Sequence, residues 1–173
     1  MKKLFRKCFC PQKVREDALF LAVEEGDFQK TKALLEKGVS PLLRHKNWNW
    51  PLILSAAVHY PVLKLLLEHG ADVNAHEENK FYSPLILAVR HGALDCARLL
   101  LSHGADVHHE SFAGLNALFY ALEAGNEALI QLILEYEKNS DYLKHVLALC
   151  DEKNLDMSQW RHYLNEKIEG QLG

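Results

Sequence analysis

The chain has 173 residues, 49% of them apolar and 25% charged, with a net charge of −3 at pH 7. This composition gives a folded protein with room for one good core and excludes a disordered chain. No apolar run approaches the roughly 20 residues of a membrane-spanning helix.

The first 15 residues stand apart. They hold Lys2, Lys3, Arg6, Lys7, Lys13 and Arg15 and no acid, a charge of +6; the remainder, with 14 basic and 23 acidic residues, carries −9. A body so acidic does not wrap nucleic acid. The opening "MKKLFRKCFCPQKV" lacks the apolar stretch of about 7–15 residues that a secretory signal needs. Cys8, Cys10, Cys96 and Cys150 are too few and too scattered for a disulfide framework, so the expectation is reduced thiols in a cytoplasmic protein. "MKKLFRKCFC" also joins basic residues, Leu4, Phe5 and Phe9 to two near-adjacent thiols. S-acylation of Cys8 and Cys10 beside those charges would suit attachment to the cytosolic face of a membrane. The plainer alternative is a basic start whose last turn caps the folded body of the chain.

From residue 16 the chain repeats itself. The segments "ALFLAVEEGDFQKTKALLEKGVSP", "PLILAVRHGALDCARLLLSHGADV" and "ALFYALEAGNEALIQLILEYE" align, and "PLILSAAVHYPVLKLLLEHGADV" fits with one residue missing between its halves. Leu19, Leu52, Leu85 and Leu118 fall at intervals of 33. Each copy predicts two short helices. The first is small and apolar, and it breaks at Gly26, Gly92 or Gly125, or at Tyr60-Pro61 in the second copy, where the proline suits a first helical turn. Asp27 and Asn126 are good N-caps for the second helix. That helix carries leucines on one face and stops at Gly38, Gly70 or Gly104. Neither helix is long enough to stand alone, so the units must stack.

After the fourth copy, "SDYLKHVLALCDEK" and "LDMSQWRHYLNEKIEG" both have helical period. Ser140 or Asp141 is placed to cap the first, whose apolar side is Leu143, Val146, Leu147 and Cys150. Leu155, Trp160, Tyr163, Leu164 and Ile168 mark that of the second. We read residues 138–173 as a helical pair closing the stack, with a partner-docking element as the alternative.

These units resemble ankyrin repeats. "SPLILAV" and, more loosely, "WPLILSAA" match the family's opening, and "LLLEHGADVN" and "LLLSHGADVH" match its second-helix ending. The resemblance implies an all-α solenoid of helix-turn-helix units with hairpin fingers. Its repeats cover about 16–46, 47–79, 80–112 and 113–137, between a basic tail (1–15) and the capping helices. One departure is systematic: the family's first-helix histidine is replaced by Phe20, Ile53, Ile86 and Phe119, so apolar packing must stand in for a hydrogen bond. The family uses the concave surface of fingers and first helices to bind proteins. The expected function is therefore a non-catalytic module, a monomer without cofactor, holding a partner of unknown identity. A membrane-tethered adaptor or regulator is the alternative, and an effector delivered into a host cell by an intracellular bacterium would suit such a tail.

The fingers are rich in aromatics. "RHKNWNW" holds Trp48 and Trp50, "HEENKFYS" holds Phe81 and Tyr82, and "HHESFAGLN" holds Phe112. Large aromatics in solvated turns are frequent binding anchors, which makes these five the candidate partner-binding residues; the alternative is that they fold back as lids over the hairpins. Of the five, Trp50 has the strongest structural reading, because it replaces the small residue before Pro51. His108, His109 and Glu110 are adjacent, with His76 one repeat earlier, but no pair has zinc-motif spacing, so no metal is expected. Cys96 falls on the inward side of its helix and reads as core, not nucleophile.

Overall fold

The computed structural model describes residues 12–47, 49–76 and 82–170. Its helices run in chain order α1 (Gln12–Glu24), α2 (Phe28–Glu36), α3 (Leu52–Ser55), α4 (Tyr60–Glu68), α5 (Pro84–Arg90), α6 (Leu94–Ser102), α7 (Ala117–Glu123), α8 (Glu127–Tyr136), α9 (Ser140–Glu152) and α10 (Arg161–Gly170). Among the described residues no strand forms, and an isolated bridge between Arg44 and Pro51 closes the first hairpin. No described helix is long and apolar enough to cross a membrane.

Helices pair within repeats, α1 with α2, α5 with α6 and α7 with α8, and stack between repeats in two layers. The first helices α1, α3, α5, α7 and then α9 pack in sequence; behind them α2, α4, α6 and α8 do the same. The 33-residue leucines sit between the layers, with Leu19, Leu52, Leu85 and Leu118 each at most 1% exposed. Burying a leucine fully contributes about 1.5–3 kcal/mol, so four in register hold the stack far more firmly than helix propensity does.

The expected caps form. Asp27 accepts from the Lys30 amide and Asn126 from that of Leu129. Ser83 and Asn116 cap α5 and α7 in the same way. Gly26 turns with φ +69°, and a Cβ there would lie 2.7 Å from the His59 ring. Left-handed backbone and close approach thus both demand glycine, and the ring it admits belongs to the one repeat without its own turn glycine. Residues Ile53, Ile86 and Phe119, in place of the family histidine, are 1–3% exposed. Phe20 is half-buried and meets His45 edge-on at 5.5 Å. Apolar packing therefore replaces the lost hydrogen bond.

His69 and His103 turn out to be helix caps. The Nδ1 of each lies 2.8 and 2.9 Å from the carbonyls of Leu65 and Leu99, which also accept the amide of the same histidine, so ring and backbone together close the helix end.

The C-terminal pair continues the stack without a finger. About 15 residues separate α2 from α3, α4 from α5 and α6 from α7, whereas α8 ends at Tyr136 and α9 begins at Ser140. The cap of α9 is Asn139, which accepts from the amides of Asp141 and Tyr142. It displaces the expected Ser140 or Asp141 because the short link brings the chain into helix one residue sooner. The predicted apolar faces are buried, with Leu143, Val146, Leu147 and Cys150 on α9, and Trp160, Leu164 and Ile168 on or beside α10. Tyr163 and Leu155 are half-buried against them.

Candidate protein-binding face

Trp50 and Tyr82 are half-buried, and both pack on a small apolar cluster of Leu54, Ala57 and Leu87, separate from the main core. That cluster lies on the first-helix layer, on α3 and its end and on α5. Trp50 therefore joins a first-helix surface instead of capping a finger tip. Beside it a cavity of about 310 Å³ is lined by Phe20, Glu24, His45, Trp50 and Ser55. A second, of about 560 Å³, shares Phe20, Glu24 and His45 and runs along α1 past the half-exposed Leu21.

On the other side of Tyr82 the line continues. Arg90 ends α5, with its guanidinium carbon 4.9 Å from the centre of the Tyr82 ring and 5.2 Å from that of Tyr120 on α7. The Tyr120 hydroxyl is 3.5 Å from that of Ser111 in the third finger. Phe20, Trp50, Tyr82, Arg90 and Tyr120 thus mark a path across α1, α3, α5 and α7. Arg90 and Tyr120 were missed in the sequence. The 33-residue frame aligns Tyr120 with Leu54 and Leu87, which disguises it as another apolar helix position.

Phe112 sits at the tip of the third finger and is 79% exposed. Trp48, Phe81, Cys8 and Cys10 lie outside the described residues.

The histidine group is used for structure. His108 pairs through Nε2 with the carboxylate of Glu137, whose side chain is 2% exposed, and Glu137 also accepts from the Asn139 amide at 2.5 Å. His145 pairs with Glu110 at 3.4 Å, and His76 stacks on His109 at 5.6 Å. Among the described residues no group of three or more His, Cys, Asp or Glu is arranged to hold a metal ion. Burial, reinforced by Asp95, pushes the Cys96 thiol up to about 11; burial and Asp151 do the same for Cys150. Both are protonated at neutral pH, the wrong state for a nucleophile.

The fingers are tied to one another by side chains that reach the backbone of the next finger. Arg44 donates to the His76 carbonyl at 2.7 and 3.1 Å. Asn74 donates to the Gly104 carbonyl at 3.2 Å and accepts from the Asp106 amide at 2.9 Å.

Two stacked helix layers with linked fingers define an ankyrin-type solenoid. The family model "Ankyrin repeats (3 copies)" matches residues 19–111 and 75–145, and the chain belongs to the ankyrin repeat family. It is 33% identical to the B-cell lymphoma 3 protein homolog of Mus musculus over 69% of this chain and 28% of that protein. It is 34% identical to ankyrin repeat and SAM domain-containing protein 6 of Mus musculus, over 86% of this chain and 16% of that protein. For ankyrin repeat and SOCS box protein 14 of Mus musculus the identity is 30%, over 76% and 23%. The chain thus spans less than a third of the length of these curated relatives. Ankyrin repeats are generally non-catalytic protein–protein interaction modules.

Proposed function

We propose that this chain binds a partner protein along the path from Phe20 to Tyr120, with the fingers that carry Trp48, Phe81 and Phe112 flanking it. The observation that carries this reading is the row of half-buried aromatics beside open cavities on the first-helix layer. Aromatic side chains offer large contact area at low entropic cost, and partly exposed pockets between them are where binding energy concentrates. Lysate pull-downs with the parent, Phe20→Ala/Tyr120→Ala and Trp48→Ala/Phe81→Ala, matched for helical circular dichroism, test it. A protein held by the parent and lost from the first variant places the contact on the path; loss from the second extends it to the fingers. An identical catch from all three refutes the reading.

A second reading, membrane attachment through S-acylated Cys8 and Cys10, draws support from the +6 charge of residues 1–15. Equal partition of the parent and Cys8→Ser/Cys10→Ser between membrane and cytosol would end it.

A further inference from the structure

Among the described residues, Arg90 is the one cation on the aromatic path that is exposed yet fixed in place. Position by position in the 33-residue frame it aligns with Glu24, Ala57 and Glu123, so the stack puts a single positive charge on this row. Its guanidinium is flanked by Tyr82 and Tyr120 at 4.9 and 5.2 Å. No ion pair to a carboxylate engages it among the described residues, whereas Lys46 pairs with Asp17 and Arg161 with Asp151. An arginine held against aromatic faces keeps its N–H donors in the plane of the guanidinium, at the edge away from the rings, and gives up little further freedom when it binds. Planar forked donors of this kind match a carboxylate.

We infer that the Tyr82–Arg90–Tyr120 stack is a preformed carboxylate receptor, and that the partner segment presents an aspartate or glutamate to it. The inference rests on the protein-binding reading above and deepens it by naming the partner's chemistry. The same geometry sets a spacing. The 310 Å³ cavity lined by Phe20 and Trp50 lies between α1 and α3, and Arg90 lies at the end of α5. Helix axes pack about 8–10 Å apart, so cavity and guanidinium are separated by roughly one and a half steps, about 12–15 Å. An extended chain rises about 3.3 Å per residue, so the acid stands about four residues from a large apolar side chain that enters the cavity. The partner is a peptide segment of the form apolar, three residues, acid, in one direction or the other.

Peptide display from a random library on the full chain tests this. Binders selected on the parent are expected to carry an acid at a fixed distance of about four residues from a Leu, Met or aromatic residue. For a selected peptide, Arg90→Gln should weaken binding about tenfold or more, the usual weight of a charge-assisted hydrogen bond. Replacing the peptide acid by its amide should weaken binding equally on the parent and have no effect on Arg90→Gln. Arg90→Lys, which keeps charge without the fork, should fall between. Matching melting temperatures show that Arg90→Gln is folded. Parent-selected peptides without an enriched acid, or an acid effect that persists on Arg90→Gln, overturn the receptor. The two readings separate cleanly. Peptides lost on Phe20→Ala but indifferent to Arg90→Gln defeat only the receptor. Peptides indifferent to both variants, or a library that yields no binder, defeat the binding path as well.

Discussion

The first and third fingers sit on the same kind of helix pair and make opposite use of their polar groups. At the first, Arg44 is spent on the His76 carbonyl of the next finger, and the adjoining first-helix surface is left with open cavities around Phe20 and Trp50. At the third, His108 reaches the buried Glu137, and the Tyr142 hydroxyl donates to the Val107 carbonyl at 3.0 Å. The His108 ring lies 4.4 Å from that of Tyr142. Burial, helped by Glu137, pushes the Tyr142 phenol up, so it stays a donor at any physiological pH. One finger leaves a surface; the other fastens α9 to the stack. The lesson is that a repeat lacking its next finger can convert that finger's space into a polar lock.

The largest test of this contrast is Glu137→Ala. It leaves the Asn139 amide and His108 without their acceptor, and removing one partner of a buried charged hydrogen bond costs about 2–3 kcal/mol. For a chain of this size that lowers the melting temperature by roughly 5–10 °C. Glu137→Gln, which retains an acceptor for Asn139, should lose about half as much. A melting curve unchanged by Glu137→Ala would mean that α9 is held by its apolar face alone. Next comes Tyr142→Phe, which deletes one neutral hydrogen bond and should cost about 1 kcal/mol in urea titration. Substitutions on the open face, such as Leu21→Ser, should stay within about 0.5 kcal/mol, as exposed positions do. At the start of the stack one polar group runs the other way. Thr31 is fully buried and its hydroxyl finds no partner. Thr31→Val should therefore raise stability, by up to about 1 kcal/mol, since it removes an unsatisfied group and keeps the branched shape.

The stack itself was legible because its physics is local and periodic. Leucine every 33 residues, glycine where φ must be positive and Asp or Asn ahead of a helix each act within one unit, so they can be read without neighbours. The lock was not legible. Glu137 is 29 residues from His108, and nothing in "LILEYEKNSDYL" marks one acid among its neighbours as buried. Its burial depends on the missing finger, a tertiary fact. The candidate site divides the same way. The aromatics of the fingers stood out as bulky residues in turns, while nothing in the sequence sets Arg90 apart from any other cation at a helix end. Its meaning needs Tyr82, from the preceding loop, and Tyr120, from the next repeat, on either side of it.

The smallest expected effect compares the two buried thiols. Cys96 lies in the second helix of the third repeat and Cys150 in α9, and both are raised to about 11 by burial and a neighbouring aspartate. In the unfolded chain a thiol ionises near 8.5. The folded state therefore keeps its protons longer, and each thiol's contribution is intact below that pH and falls away as pH rises toward about 11. At pH 8 neither should affect stability, and neither should react with an alkylating reagent unless the chain opens. In a Cys8→Ser/Cys10→Ser background, mass spectrometry can then follow the two sites separately, and their rates report local opening. If the lock couples α9 to the repeats, Cys96 and Cys150 are alkylated at similar slow rates. Glu137→Ala should then accelerate Cys150 alone, because α9 can detach while the repeats behind it stay packed. Acceleration of both thiols together would mean that the C-terminal pair and the repeats unfold as one unit, with no independent lock to break.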